Sequence, residues 1–520
     1  MNEKRKEILS VVILSIVSFL INFFYASKGV LPIDTFAFFD TGFRILEGDI
    51  PFKDYWTISG PIIDLIQSLI FFLFGVNWNA YVLNGSLINV LITLACFYFF
   101  NDIGLSKNYS LFYSICVAFL ANPSMGTPFP DHYSAFFSLL AVFSFIYGIK
   151  YEKKIFWFLI PLLLFLAFFC KQTPAAYIII FFFLNFVLYF LIKKKYKFIL
   201  PIGISSIVSL LFLGCFIWIK DINFNSFIAQ YFLYPRTIGA ERVSDWSFTL
   251  NKTVTTLKLI YVILIPLVII FLKNLFFIKN YIYKDNFFIN LNIIFYSILL
   301  VIHQWLTLNF IFIFFTIPIL CATVQSNLKD NSFYKKICLL IVIFCLLVSI
   351  KYHFRFNHER KMLDLEKLNL SNFYKAEKIS PKLKGLKWIT REYSLNSQDE
   401  IEKIMKIKKV LRNEDKKIMF LSSYQFFSSI LNKQLHSPNR WYGGSVAHPQ
   451  KDNLYYYQYL LFNYNLLIKN KIEVIYIDTN LGDYQIELYD EILKKFSPGC
   501  SNFNEIDEIL YKYDISSCYN

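Results

Sequence analysis

Apolar residues run in long, almost unbroken stretches along the first two thirds of the chain and in short pieces along the last third. A helix that crosses a bilayer needs about 20 mostly apolar residues. Stretches near that length lie at 8–26, 79–100, 109–122, 132–149, 155–170, 174–192, 198–219, 256–272, 287–302, 306–324 and 337–351, which predicts about 11 spans. A further run at 61–76 is short and carries Asp64 and Gln67, so it reads either as a span or as a helix lying along the membrane surface. Composition points the same way. The 520 residues are 56% hydrophobic and only 17% charged, with a mean hydropathy of +0.46, whereas soluble chains carry about 25% charged residues. Disordered, collagen-like and small disulfide-scaffold classes are excluded. The expected fold is a polytopic α-helical membrane bundle.

The net charge of +15 reports topology once it is placed along the chain. Residues 1–351 hold 27 Lys and Arg against 16 Asp and Glu, so most of the excess lies among the apolar runs. Basic residues there mark cytoplasmic connections. With 61–76 on the surface, the clusters at Lys4–Lys6, Lys107, Lys150–Lys154, Lys193–Lys197, Lys273–Lys284 and Lys329–Lys336 share one side. That side carries 17 basic residues and the other side 8. If 61–76 crossed, every later cluster would flip outward, so the surface reading is preferred. The N-terminus is then cytoplasmic and the C-terminal part extracytoplasmic, as in a bacterial inner membrane. The first apolar run is too long for a cleaved leader and no clear small-residue cleavage site follows it. No Lys/Arg stripe interleaves with stacking aromatics, so nucleic acid is not an expected partner.

Beyond residue 351 the pattern changes. A Lys- and Glu-rich helical linker is expected over 352–415. Strands are expected at 417–422, 472–478 and 508–515, alternating with helices near 424–432, 454–469 and 485–496. Alternation of this kind predicts a small α/β domain over 416–520. Seven of the nine cysteines fall in or beside spans, where a small buried hydrophobe is the usual role. Cys500 and Cys518 lie in the tail and would be free to pair in an oxidising compartment.

The predicted outer connections collect most of the scarce acidic groups. The first holds Pro32, Asp34 and Thr35, then an amphipathic stretch, then Gly48, Pro51, Phe52, Asp54 and Gly60-Pro61. An Asp just past a first span, followed by a G-x-x-P-[FY]-x-D pattern, resembles the GT-C integral-membrane glycosyltransferases, in particular the bacterial relatives of protein mannosyltransferases and aminoarabinose transferases. Thr35 stands where that family commonly has Glu, which puts in doubt any role needing two adjacent carboxylates. The resemblance implies an outer-face site, a polyprenyl-phosphate sugar donor and a catalytic carboxylate at Asp34. Read from the residues alone, Asp34 is either a general base for an acceptor hydroxyl or the N-cap of the following helix. Asp54 either binds an acceptor hydroxyl or orients its loop.

Other candidates lie at further outer boundaries. Asp131 and His132 open the fourth run, where charge is costly unless paired or wet. They read as acceptor-positioning or proton-transfer residues, or as a helix cap and an interfacial anchor. Lys171 and Gln172 sit between two runs on the side otherwise poor in Lys. Lys171 resembles the basic residue after a span in related transferases and would hold donor phosphate, with snorkelling as the alternative. Arg236 and Arg242 carry planar multidentate donors suited to phosphate, although an Arg–Glu241 pair would serve structure alone. Gln172, His303 and Trp441 are candidate acceptor or cavity residues, the last two against ordinary interface and loop packing.

The expectation is therefore a membrane glycosyltransferase moving a sugar from a polyprenyl-phosphate carrier to a hydroxyl of a glycan, lipid or protein acceptor. No resident cofactor is marked, and a divalent cation is left open as a helper of the leaving phosphate. A transporter or flippase would place ionisable groups near the midplane of paired helices, and here they gather at one face. A polymerase or ligase shares many spans and Arg-bearing loops but lacks the early Asp loop.

Overall fold

The computed structural model describes residues 3–247, 249–309, 312–328, 332–362, 365–366, 373–393, 397–496 and 499–519. All eleven apolar runs become helices. Eight are long and apolar enough to cross a membrane: Lys4–Ala26, Trp78–Asp102, Pro130–Tyr151, Gln172–Lys193, Tyr196–Ile219, Lys258–Phe277, Asp285–Thr307 and Lys335–His358. The chain is an integral membrane protein. Three runs give shorter helices, Lys107–Leu120, Lys154–Phe168 and Thr316–Ser326. At about 1.5 Å per residue these fall short of a hydrocarbon core of about 30 Å. The run at 306–324 is interrupted because Leu308, with φ of 53°, closes the preceding helix before the next can begin.

The chain groups into two compact units that interleave along the sequence. The bundle unit comprises Met1–Ser27, Val82–Cys215 and Asp245–Lys367, and the loop-and-sheet unit Lys28–Tyr81, Phe216–Ser244 and Leu368–Asn520. Divisions drawn at residues 351 and 415 follow the change in hydropathy, whereas the fold assigns Lys28–Tyr81, after the first span, and the tail to the same unit.

Burial sorts the spans of the bundle unit. The Pro130–Tyr151 window is 89% buried and the Tyr196–Ile219 window 11%, so the first runs through protein and the second presents its side chains to lipid. Close approaches fix this packing. A Cβ on Gly126, whose φ is +74°, would lie 2.3 Å from the Ala26 nitrogen, and the Gly126 carbonyl accepts from Asn22 Nδ2 at 2.8 Å.

In the loop-and-sheet unit, the helix Ile62–Phe74 buries Ile63, Asp64, Gln67 and Phe71 and exposes Leu69, Phe72, Leu73 and Phe74. At about 1.5 Å per residue, thirteen residues fall short of a hydrocarbon core of about 30 Å. The helix Ala37–Leu46 packs on it. The tail forms a four-stranded sheet from Ile418–Leu421, Val474–Asp478, Asn502–Ile506 and Leu510–Asp514. They lie in the order first, second, fourth, third, with only the first pair parallel. The strand Asn502–Ile506 is mostly exposed and was not foreseen. A disulfide joins Cys500 to Cys518. The first loop docks on this domain through backbone bonds: Trp56 N–H donates to Pro438 O (2.7 Å) and Arg440 N–H to Trp56 O (3.1 Å).

Candidate functional site

The residues singled out from sequence fall into two sets, one in each unit. In the loop-and-sheet unit, Asp34 lies in the short helix Pro32–Thr35 and is half-buried. The N-cap of the next helix, Ala37–Leu46, is Phe36, with no side-chain capping bond. Asp34 therefore does not cap that helix. The carboxylate is close enough to Tyr81 to act on its phenol electrostatically.

Beneath this loop lies a buried ionic core. Arg44 Nε donates to Asp49 Oδ2 at 2.7 Å, and Arg44 Nη1 lies 3.9 Å from Asp40 Oδ2. The guanidinium carbon stands 4.6 Å over the Tyr55 ring. Burial pushes the Asp40 carboxyl up to about 6, with Arg44 opposing it. From the tail, Arg440 donates to Asp64 and to Ser59 Oγ and stacks 5.2 Å from the centre of the Phe38 ring. Asp64 also accepts from the Thr41 hydroxyl. Burial raises the Asp64 carboxyl above the usual range, and the Arg440 charge acts against it.

Three other candidates in this unit take plainer places. Asp54 Oδ2 accepts from the Ile50 N–H at 2.8 Å and Oδ1 pairs with Lys469, so the carboxylate closes its own loop. Trp441 is half-buried and covers Gly443, where a Cβ would meet its ring at 2.7 Å. It is the adjacent Arg440, 1% exposed, that enters the core. Arg236 and Arg242 share the helix Tyr234–Ser244. Neither makes an ion pair or hydrogen bond among the described residues, so the Glu241 pair is not formed and both guanidinium groups are available.

In the bundle unit the structure brings Asp131, Lys171 and His303 together. Asp131, fully buried in the first turn of Pro130–Tyr151, lies 2.6 Å from Lys171 Nζ through Oδ2 and 2.9 Å from His303 Nε2 through Oδ1. Lys171 precedes the helix Gln172–Lys193, and its side chain is 25% exposed. Snorkelling alone does not describe it, because its ammonium is engaged with a carboxylate and one side remains open. His132 is buried next to Asp131 amid Phe129, Phe136 and Phe312, and makes no hydrogen bond to the ion pair. Gln172 is half-buried at the start of its helix. Among the described residues, no group of three or more His, Cys, Asp and Glu is arranged to hold a metal ion.

A known structure has this architecture. The crystal structure of ArnT from Cupriavidus metallidurans bound to undecaprenyl phosphate matches with a TM-score of 0.57 at 10% identity, over 98% of this chain and 98% of that one. The chain shares the fold of ArnT. The likeness includes the tail, which the sequence resemblance did not reach, and the GT-C-type fold expected from the first loop is the fold found. No family model matches the sequence, and no curated protein does.

Within the ArnT-like fold, sequence reasoning missed Arg440, Asp40 and Arg44. Asp40 and Arg44 stand at i and i+4 on a helix, a spacing that marks an ion pair. Arg440 had no such signal: its partner Asp64 lies 376 positions away.

Proposed function

We propose that the chain is an integral-membrane glycosyltransferase that moves a sugar from a polyprenyl-phosphate carrier to an acceptor hydroxyl at the outer membrane face. The observation that carries this reading is the ArnT-like fold over the whole chain together with an uncapping, half-buried carboxylate, Asp34, just past the first span. The carrier lipid cannot leave the bilayer, so the chemistry must occur at membrane level, where a bundle with a surface-lying helix is suited to work.

In this reading Asp34 accepts the proton of the acceptor hydroxyl as the new glycosidic bond forms. The sugar–phosphate bond breaks with its electron pair on the carrier phosphate. Arginine and lysine donors stabilise the departing charge. Arg236 and Arg242 suit that role because no protein carboxylate occupies them. The orientation follows the basic clusters, with the N-terminus cytoplasmic and the tail outside, and the Cys500–Cys518 disulfide fits an oxidising compartment. Acceptors of the cell envelope, whether glycan, lipid or protein, fit the same chemistry.

Replacing Asp34 by Asn keeps its size and removes the base. Transfer should fall by a factor of about 10²–10⁴, the usual worth of a general base, at unchanged abundance in the membrane. Wild-type transfer by this variant would sink the assignment of Asp34.

A further inference from the structure

In the loop-and-sheet unit, the segment that leads to Asp34 lies beside a row of lysines. Lys28 comes two residues after the end of the first span, and its backbone pairs in parallel with that of Lys387. Lys387 pairs in turn with Lys375, across the antiparallel strands Tyr374–Lys375 and Lys387–Trp388. Residues in register on neighbouring strands lie about 5 Å apart and point to the same face. Three lysines therefore leave one face of three adjacent segments, with Lys375 and Lys387 exposed and Lys28 half-buried. The other face is core, where Trp388 is fully buried and stacks with its ring 5.6 Å from that of Phe36.

Like charges directly opposite on a sheet are destabilising. Burial, together with the Lys387 charge, lowers the pKa of Lys28 from its ordinary value. Neither Lys375 nor Lys387 makes an ion pair among the described residues, and the stretch 373–391 holds six basic residues against one acidic. The row is a concentrated positive field whose counterpart is an anion. Position selects which anion. Two residues past a span is the depth of lipid headgroups. Lys387 Nζ stands 4.6 Å from the centre of the Phe373 ring and Lys378 Nζ 4.6 Å from that of Tyr374, and aromatic rings beside basic residues suit that same layer. The anionic part of a headgroup is a phosphate ester, which lysine meets as a point charge. We infer that Lys28, Lys375 and Lys387 form a binding site for the phosphate of a lipid. The polyprenyl-phosphate carrier and an anionic phospholipid of the bilayer both offer that chemistry, so the site stands apart from the reading of the chain as a transferase.

The test is equilibrium binding of lipid probes to the full-length protein purified in neutral detergent. The probes are a polyprenyl phosphate with its parent polyprenol, and phosphatidylglycerol with its parent diacylglycerol. The proteins are wild type, Lys375→Gln with Lys387→Gln, and Lys375→Arg with Lys387→Arg. A control, Lys471→Gln with Lys494→Gln, removes the same charge from exposed positions elsewhere. At least one phosphate lipid should bind the wild type about tenfold or more tighter than its phosphate-free parent. Its affinity should fall about fivefold for each lysine removed, hence about 25-fold in the double Gln variant. The double Arg variant and the control should bind as the wild type does. A loss confined to polyprenyl phosphate supports the site with the carrier as its ligand. A loss confined to phosphatidylglycerol supports it with the bilayer as the source, and a loss of both supports a general lipid-phosphate site. Equal affinity in the wild type and the double Gln variant, or an equal loss in the control, would overturn the site. A loss in the double Arg variant as large as with Gln would overturn charge as its basis. Failure to release carrier phosphate from sugar donors would leave this binding untouched, so the two readings fail separately.

Discussion

Replacing Arg440 by Met tests the ionic core on which the loop after the first span rests. The Arg440 guanidinium is 1% exposed and bonds Asp64, itself fully buried, together with Ser59. Met keeps most of the aliphatic volume but leaves the Asp64 carboxylate with the Thr41 hydroxyl and the charge of Arg44, with no basic side chain bonded to it. Breaking a buried pair from one side costs about 3–5 kcal/mol, because an uncompensated charge stays behind. The lost stacking on Phe38 adds to this. At about 2–4 °C per kcal/mol for a unit of this size, the melting temperature of the detergent-solubilised protein should drop by roughly 6–20 °C. The double variant Arg440→Met with Asp64→Leu removes both charges and should recover more than half of the loss. A single-variant cost under about 1 kcal/mol, the value of an exposed pair, would refute the claim that this pair is desolvated. No recovery in the double variant would refute the claim that the stranded charge is the cause.

Asp40 gives a pH-dependent prediction. Its carboxyl is raised to about 6 in the folded protein, above an unfolded value of about 3.9, so its stabilising contribution is full below pH 4 and is lost as pH rises through 6. Asp40→Asn should therefore be more stable than wild type by about 1–3 kcal/mol at pH 7.5, with the gap closing near pH 4. Unfolding curves across that range check it, and a gap that widens toward low pH would contradict it. Cysteines placed at 54 and 195 in a background without other exposed thiols should differ in labelling by an impermeant maleimide on intact cells. Position 54 should react and 195 should not, and equal reaction would overturn the orientation.

Much of the fold was legible because its signals are local. Eleven apolar runs announce eleven helices, and the Asp64 and Gln67 that mar the run at 61–76 lie on the buried side of a short helix. Short β-rich pieces in the tail foretold three of the four sheet strands. The remaining strand, Asn502–Ile506, is a largely exposed edge whose polar sequence carries no hydrophobic alternation. Lengths of spans were harder to read, since Leu308 adopts a left-handed turn inside what reads as one apolar run. The site was legible only in part. Asp131 and Lys171 were separately suspect as charges at membrane boundaries, but their pairing with His303 joins positions up to 172 apart. The loop 439–444 was noticed for its tryptophan, while the residue that turns inward is the neighbouring arginine. Identity of residues in a loop is visible in sequence, but the direction each side chain faces is set by tertiary contacts.

The central claim is the transfer reaction itself. Purified protein should be incubated with a panel of polyprenyl-phosphate sugars and a membrane extract as acceptor, and the release of carrier phosphate followed with time. At least one donor should release its carrier phosphate, dependent on acceptor, and the release should be abolished in Asp34→Asn. Intact donors across the whole panel, or release that is the same in Asp34→Asn, would contradict it.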